Sequence, residues 1–216
     1  MPHQENNLFE HDRADIDYRE EAKRQAHLMN ICMWQQQSKR LTFNSKEQYW
    51  TLMDDRSFEL ETLKTHNLIS SPSQFHGVND NERKYKACME QFFGIQGYYG
   101  EWTTILRQND ICPHGGIVYL DTMSQLDEYS AIASTMLAAT LEACGSQTLI
   151  CANFCMTNPR QGQRVIESHI FSKRLLEASE KIQNKWALVM SPEGHDCYLP
   201  EKTSSTQMVT YFFWRA

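Results

Sequence analysis

Two apolar runs near the middle of the chain set its plan. Gly115-Gly116-Ile117-Val118-Tyr119-Leu120 closes in Asp121-Thr122, and Gln147-Thr148-Leu149-Ile150-Cys151-Ala152 closes in Asn153-Phe154. Strand-length runs without polar alternation predict strands buried on both faces, as in a parallel sheet. Between them, residues 127–143 carry a helical pattern that stops at Cys144-Gly145, where glycine is a common helix terminator. Sheets of this kind bind ligands at the carboxyl ends of their strands, which singles out Asp121 and Asn153.

The alternation continues in both directions. Residues 16–38 place Tyr18, Ala22, Ala26, Met29, Met33 and Trp34 at three-to-four spacing, an amphipathic helix that packs on the sheet or covers its ligand. Residues 48–53 predict a first strand. The loop Asp54-Asp55-Arg56-Ser57 follows, its serine suited to cap a helix from Phe58 with Leu60, Leu63 and Leu68 on a buried stripe. Ser70-Ser71-Pro72-Ser73 breaks the chain before a second strand over 74–78, a helix over 82–92, a short third strand over 95–99 and a helical turn through Leu106 and Arg107. Beyond the turn at Asn158-Pro159-Arg160-Gln161-Gly162, residues 164–182 predict a helix, and 185–190 and 207–214 two strands that pair antiparallel. The near-continuous apolarity of Tyr211-Phe212-Phe213-Trp214 predicts a core strand. Tyr98 and Tyr99 lie beside the ligand edge.

Strands alternating with helices imply an α/β fold with right-handed crossovers and helices on both faces of a mostly parallel sheet. The pattern divides into a helical extension, 1–44, and an α/β domain, 45–216, which at this length is one domain.

Composition narrows the function classes. A hydrophobic share of 41% with 22% charged residues is that of a folded globular chain, and no segment approaches the length of a membrane span. The polar start Met1-Pro2-His3-Gln4 has no apolar h-region, so the expectation is a cytosolic protein. Seven cysteines, among them Cys32, Cys88, Cys144 and Cys151 at apolar positions, read as reduced core residues rather than a disulfide framework. A net charge of −6 argues against binding nucleic acid by electrostatics alone. Arg13, Arg19, Lys23, Arg24, Lys39 and Arg40 are interleaved with acidic residues, the pattern of a solvated helix face, and leave nucleic acid open as a partner. Cys112-Pro113-His114, Cys151 with Cys155, and His195 with Cys197 match no structural zinc spacing, so no metal is expected. Neither a Gly-x-Gly-x-x-Gly string nor a phosphate loop is present.

In strand order and strand ends, residues 48–216 resemble the class I S-adenosylmethionine-dependent methyltransferases, a Rossmann-like fold of seven strands with a reversed last strand. The resemblance implies S-adenosylmethionine as cofactor and assigns roles by position. Gly77-Val78-Asn79-Asp80 stands where an acidic residue holds the cofactor ribose, a role for Asp80, or for Asn79 if the strand is one residue shorter. Gly100-Glu101 stands at the adenine position, with the face of Trp102 available for stacking. Asp121-Thr122 takes the place of the catalytic, substrate-facing motif, and Asp54 that of a group accepting from the cofactor's amino group. The sequence is also similar to a subgroup, frequent among viruses and mobile elements, in which this strand ends in aspartate rather than Asn-Pro-Pro-Tyr. In the family the first loop is glycine-rich, because the backbone must approach the cofactor closely. Here Asp54-Asp55-Arg56-Ser57 contains none. Two expectations follow: a divergent methyltransferase, with nucleic acid among its open substrate classes, or a methyltransferase-like protein without catalysis that acts as a binding or regulatory partner in a virus or mobile element.

Overall fold

The computed structural model describes residues 24–53, 58–125, 131–155, 185–190 and 208–216. Five helices and seven strands are described: α1 (24–38), β1 (Gln48–Leu52), α2 (Phe58–Thr65), β2 (Phe75–Asn79), α3 (Glu82–Gln91), β3 (Gln96–Tyr99), α4 (Trp102–Gln108), β4 (Gly116–Gln125), α5 (Ala131–Ala143), β5 (Thr148–Cys155), β6 (Ala187–Met190) and β7 (Met208–Arg215). The helix expected over 164–182 lies outside the described residues.

The strands form one sheet in the order β3-β2-β1-β4-β5-β7-β6. The first five pair in parallel, while β7 runs antiparallel to both β5 and β6, the reversed last strand that the sequence implied. Sequence order reverses between β1 and β4, so a crevice opens there outside the carboxyl ends. In register, Tyr49 faces Ile117 and Thr51 faces Tyr119 across that junction.

Each face of the sheet carries its own core, because side chains alternate along every strand. Trp50, Val118, Leu120, Ile150, Tyr211 and Phe213 pack under α4 and α5. Tyr49, Phe75, Ile117, Leu149, Phe212 and Trp214 pack against Ile31, Met33 and Trp34 of α1 and Leu60 and Leu63 of α2. Helix α1 therefore shares the core of the α/β domain. Of the cysteines, Cys88, Cys112, Cys144 and Cys151 are buried, but Cys32 is exposed, corrected by the rotation of α1 that turns its neighbours Ile31 and Met33 inward.

Gly145 does not end α5 by a left-handed turn. Its φ is not positive, and a Cβ there would collide with the Cys112 carbonyl oxygen, so the glycine serves a close approach of two loops.

On the α4 face, Trp50, His76 and Tyr98 from β1, β2 and β3 stack nearly parallel, Trp50 lying 4.5 Å from His76 and 4.9 Å from Tyr98 by ring centroids. His76 Nδ1 is 3.1 Å from the Tyr98 hydroxyl. Burial disfavours the imidazolium and lowers the His76 pKa to about 4. Since the unfolded ring titrates near 6.5, the unfolded state binds the extra proton between about pH 6.5 and 4. The stabilisation is thus complete above that window and lost as pH falls through it, by up to about 3 kcal/mol. Denaturant titrations of wild type and His76→Phe at pH 7 and pH 4.5 are expected to show the variant losing less stability on acidification; equal losses would refute the assignment.

Candidate cofactor and substrate site

The carboxyl edge is built by local chemistry in the run Asn79-Asp80-Asn81. Asn79, the last residue of β2, is buried, and its amide donates to the Met53 carbonyl at 2.6 Å while its Oδ1 accepts from the Asn81 backbone N–H at 2.8 Å. Asn81 caps α3, its side chain accepting from Lys84 N–H at 3.1 Å. Both asparagines are engaged in holding β1, β2 and α3 together. Asp80 between them is exposed. Of the two residues expected at the ribose position, Asn79 is engaged in structure and Asp80 is the one whose side chain is exposed at the edge.

Glu101 occupies the N-cap position of α4 without making a side-chain cap bond, its carboxylate accepting instead from the Thr103 hydroxyl at 3.0 Å. It is exposed, next to Gly100, whose N–H donates to the Asn79 carbonyl at 3.1 Å, so Asp80 and Glu101 share one edge. Trp102 departs from expectation. Only 3% exposed, it sits in the core, and its indole N–H donates to Thr140 of α5 at 3.0 Å. The first turn of α4 docks on α5, which turns this ring inward and leaves it no open face for adenine.

Asp121 lies on β4 at the junction with β1, opposite Asn153 of β5. Assigned β4 runs to Gln125, beyond the expected end at Asp121, but the regular ladder with β5 stops at this pair: β4 then advances four residues while β5 advances two before pairing resumes at Gln125 and Cys155. The strand is locally disrupted where the candidate acid stands. The Asn153 amide donates to the Asp121 carboxylate at 2.8 Å, and Asn153 Oδ1 accepts from Thr210 of β7 at 3.2 Å. Thr122 continues β4 beyond the ladder. Asp54 and its loop lie outside the described residues.

Beside Asp121 lies a buried polar layer that periodicity did not reveal. His27 of α1 has Nδ1 3.2 Å from the Tyr49 hydroxyl and Nε2 3.5 Å from the Glu59 carboxylate, and its ring meets Tyr119 edge-on at 4.9 Å. His27, Tyr49, Glu59 and Tyr119 are all buried. An ionised carboxylate only accepts, so the ring turns a protonated Nε2 toward Glu59 and shares a hydrogen bond with the Tyr49 hydroxyl through Nδ1. Burial, then the nearby Glu59 carboxylate, holds the Tyr49 phenol well above its ordinary pKa, with Asp121 adding in the same direction. Tyr49 therefore stays a donor. In the sequence, the available signal was a polar pair, His27 and Asn30, one turn apart among the apolar residues of α1.

Among the described residues no group of three or more His, Cys, Asp or Glu side chains is placed to hold a metal ion, and no helix is long and apolar enough to cross a membrane.

No family model and no curated protein matches the sequence. Solved structures do match it. The plantazolicin methyltransferase BamL, in complex with a triazolic desmethylPZN analog and SAH, aligns with 94% of this chain and 91% of its own at a TM-score of 0.63 and 5% identity. A S-adenosylmethionine-dependent methyltransferase from Clostridium acetobutylicum aligns over 95% and 94% with a TM-score of 0.56 and 12% identity. A TehB-like SAM-dependent methyltransferase from Corynebacterium glutamicum aligns over 97% and 100% with a TM-score of 0.53 and 11% identity. At such identities the likeness is one of architecture, and with the strand order above it shows that this chain has the Rossmann-like class I methyltransferase fold.

Proposed function

We propose that the protein is an S-adenosylmethionine-dependent methyltransferase whose cofactor lies along the carboxyl ends of β1, β2 and β3, with the methyl acceptor at β4. The observation that carries this reading is the presentation of Asp80: its two neighbours are engaged in structure, and its own carboxylate stands exposed at the end of β2 beside Glu101. The set of acceptors suits the group. Asp80 accepts from the ribose hydroxyls, Glu101 from the adenine amino group, and Asp54 from the cofactor's amino group. The cofactor supplies a methyl activated on a sulfonium. The chain's task is then to align a nucleophile with it and exclude water. Asp121, held by Asn153 at the junction of β1 and β4, faces that nucleophile, with Thr122 beside it. An acidic chain of net charge −6 disfavours a substrate held chiefly through phosphates.

Isothermal titration of the full chain with S-adenosylmethionine and S-adenosylhomocysteine tests the reading. Micromolar binding is expected. Absence of binding to the folded protein would overturn it and favour the second reading, a non-catalytic binding or regulatory protein of a virus or mobile element, for which the glycine-free Asp54-Asp55-Arg56-Ser57 run is the supporting observation.

A further inference from the structure

Helix α1 is attached to the domain in two ways. Its carboxyl end is anchored by packing: Trp34 is fully buried and meets Phe43 at 4.7 Å, and Arg40 lies 5.1 Å over the Trp34 ring while pairing with buried Glu47. Two turns earlier the attachment is polar, through His27 to Glu59 and Tyr49. Glu59 belongs to the first turn of α2, which stands at the carboxyl edge because α2 follows β1. Arg24 adds a second link between the same helices, 3.7 Å from Glu61.

A buried carboxylate–imidazole–phenol chain is a costly way to seat a helix. Well-packed apolar side chains hold such an interface as well or better, and α1 uses them at Ile31, Met33 and Trp34. The same layer has hydrogen-bonding capacity left over. Thr51 Oγ1, two residues along β1 from Tyr49, is buried without a hydrogen-bond partner among the described residues. Leaving such a group unpaired is costly, and a ligand group placed between α1 and the end of β1 would relieve it.

Resting on the methyltransferase reading, we propose that His27 is a positioning residue for the cofactor site: the Glu59–His27–Tyr49 chain seats α1 over the carboxyl edge at β1 and β4 and ties that seating to the first turn of α2. Thr51 is the group of this layer that meets ligand. Loss of His27 unties the helix from the edge while its Trp34 end stays anchored.

The test combines S-adenosylhomocysteine titration with hydrogen exchange of the full chain. In the wild type, saturating S-adenosylhomocysteine is expected to slow exchange across 24–38. His27→Ala is expected to raise Kd about tenfold or more and to abolish that slowing. His27→Gln, whose amide keeps one donor and one acceptor, should regain most of both effects. Tyr49→Phe removes only the hydroxyl, keeping the ring stacked on Phe75, and should loosen 24–38 and raise Kd by a smaller factor even if His27→Ala does not fold. Binding within about twofold of wild type in the folded variants, or undiminished ligand protection of α1, would overturn the proposal. Should the wild type bind no S-adenosylhomocysteine, the methyltransferase reading fails, and the proposed role of His27 fails with it. Exchange without ligand still reads the tie itself: a mutation at His27 that speeds exchange in α1 but not in 58–65 contradicts it.

Discussion

Gly116→Ala is expected to prevent the domain from folding stably. Gly116 opens β4 with φ +139°, a backbone conformation that a side chain resists, and a Cβ there would collide with the Gln48 carbonyl of β1, its partner in register. Gln48 has little room to retreat, since its Oε1 accepts from Cys112 N–H at 3.0 Å and from the Trp50 indole at 2.8 Å. Backbone strain of about 1–3 kcal/mol and overpacking of about 1–3 kcal/mol together take a large part of the roughly 5–15 kcal/mol that holds a domain folded. Circular dichroism melts should show insoluble protein or a Tm lower by about 10 °C or more. A Tm within a few degrees of wild type would mean that β1 and β4 do not meet as described.

Asp80→Ala should have the largest effect on binding and almost none on folding. Its carboxylate is exposed and the two asparagines beside it do the structural work, so stability should change by no more than about 0.5 kcal/mol. Two charge-assisted hydrogen bonds to ribose hydroxyls, each about 1.5–3 kcal/mol, correspond to a loss of affinity of about a hundredfold or more. Asn79→Ala should behave in the opposite sense. It removes the buried amide that joins β2 to Met53, and should lower stability by about 1–3 kcal/mol. Melting curves and S-adenosylhomocysteine titrations on the two variants separate the roles. A stable Asp80→Ala protein that binds like wild type would remove Asp80 from the site.

The fold was legible because buried parallel strands announce themselves. Ile117–Leu120 and Leu149–Ala152 are apolar without alternation, and each is spaced from the next strand by one helix length. The antiparallel closing pair was legible from the apolar tail at Tyr211–Trp214. What the pattern could not convey is which side chains a helix turns inward. Trp102 read as a ligand-edge ring because it follows Glu101, yet its partner is Thr140, 38 residues away on α5. Nothing in the local pattern marks His27 on its charged helix, because Tyr49 and Glu59 reach it through tertiary packing that no local spacing records. The sequence allows either Asn79 or Asp80 at the ribose position. The end of β2 decides between them: the strand is buried throughout, Asn79 included, and Asp80 just beyond it is exposed.

A crystal structure of the full chain grown with S-adenosylhomocysteine would locate the cofactor site outright. The ligand should lie across the carboxyl ends of β1 to β3, its ribose hydroxyls on the Asp80 carboxylate, its adenine beside Glu101, and its sulfur turned toward Asp121. Ligand bound away from that edge, or crystals of the folded protein that take up none at saturating concentration, would rule out a cofactor site along β1 to β3.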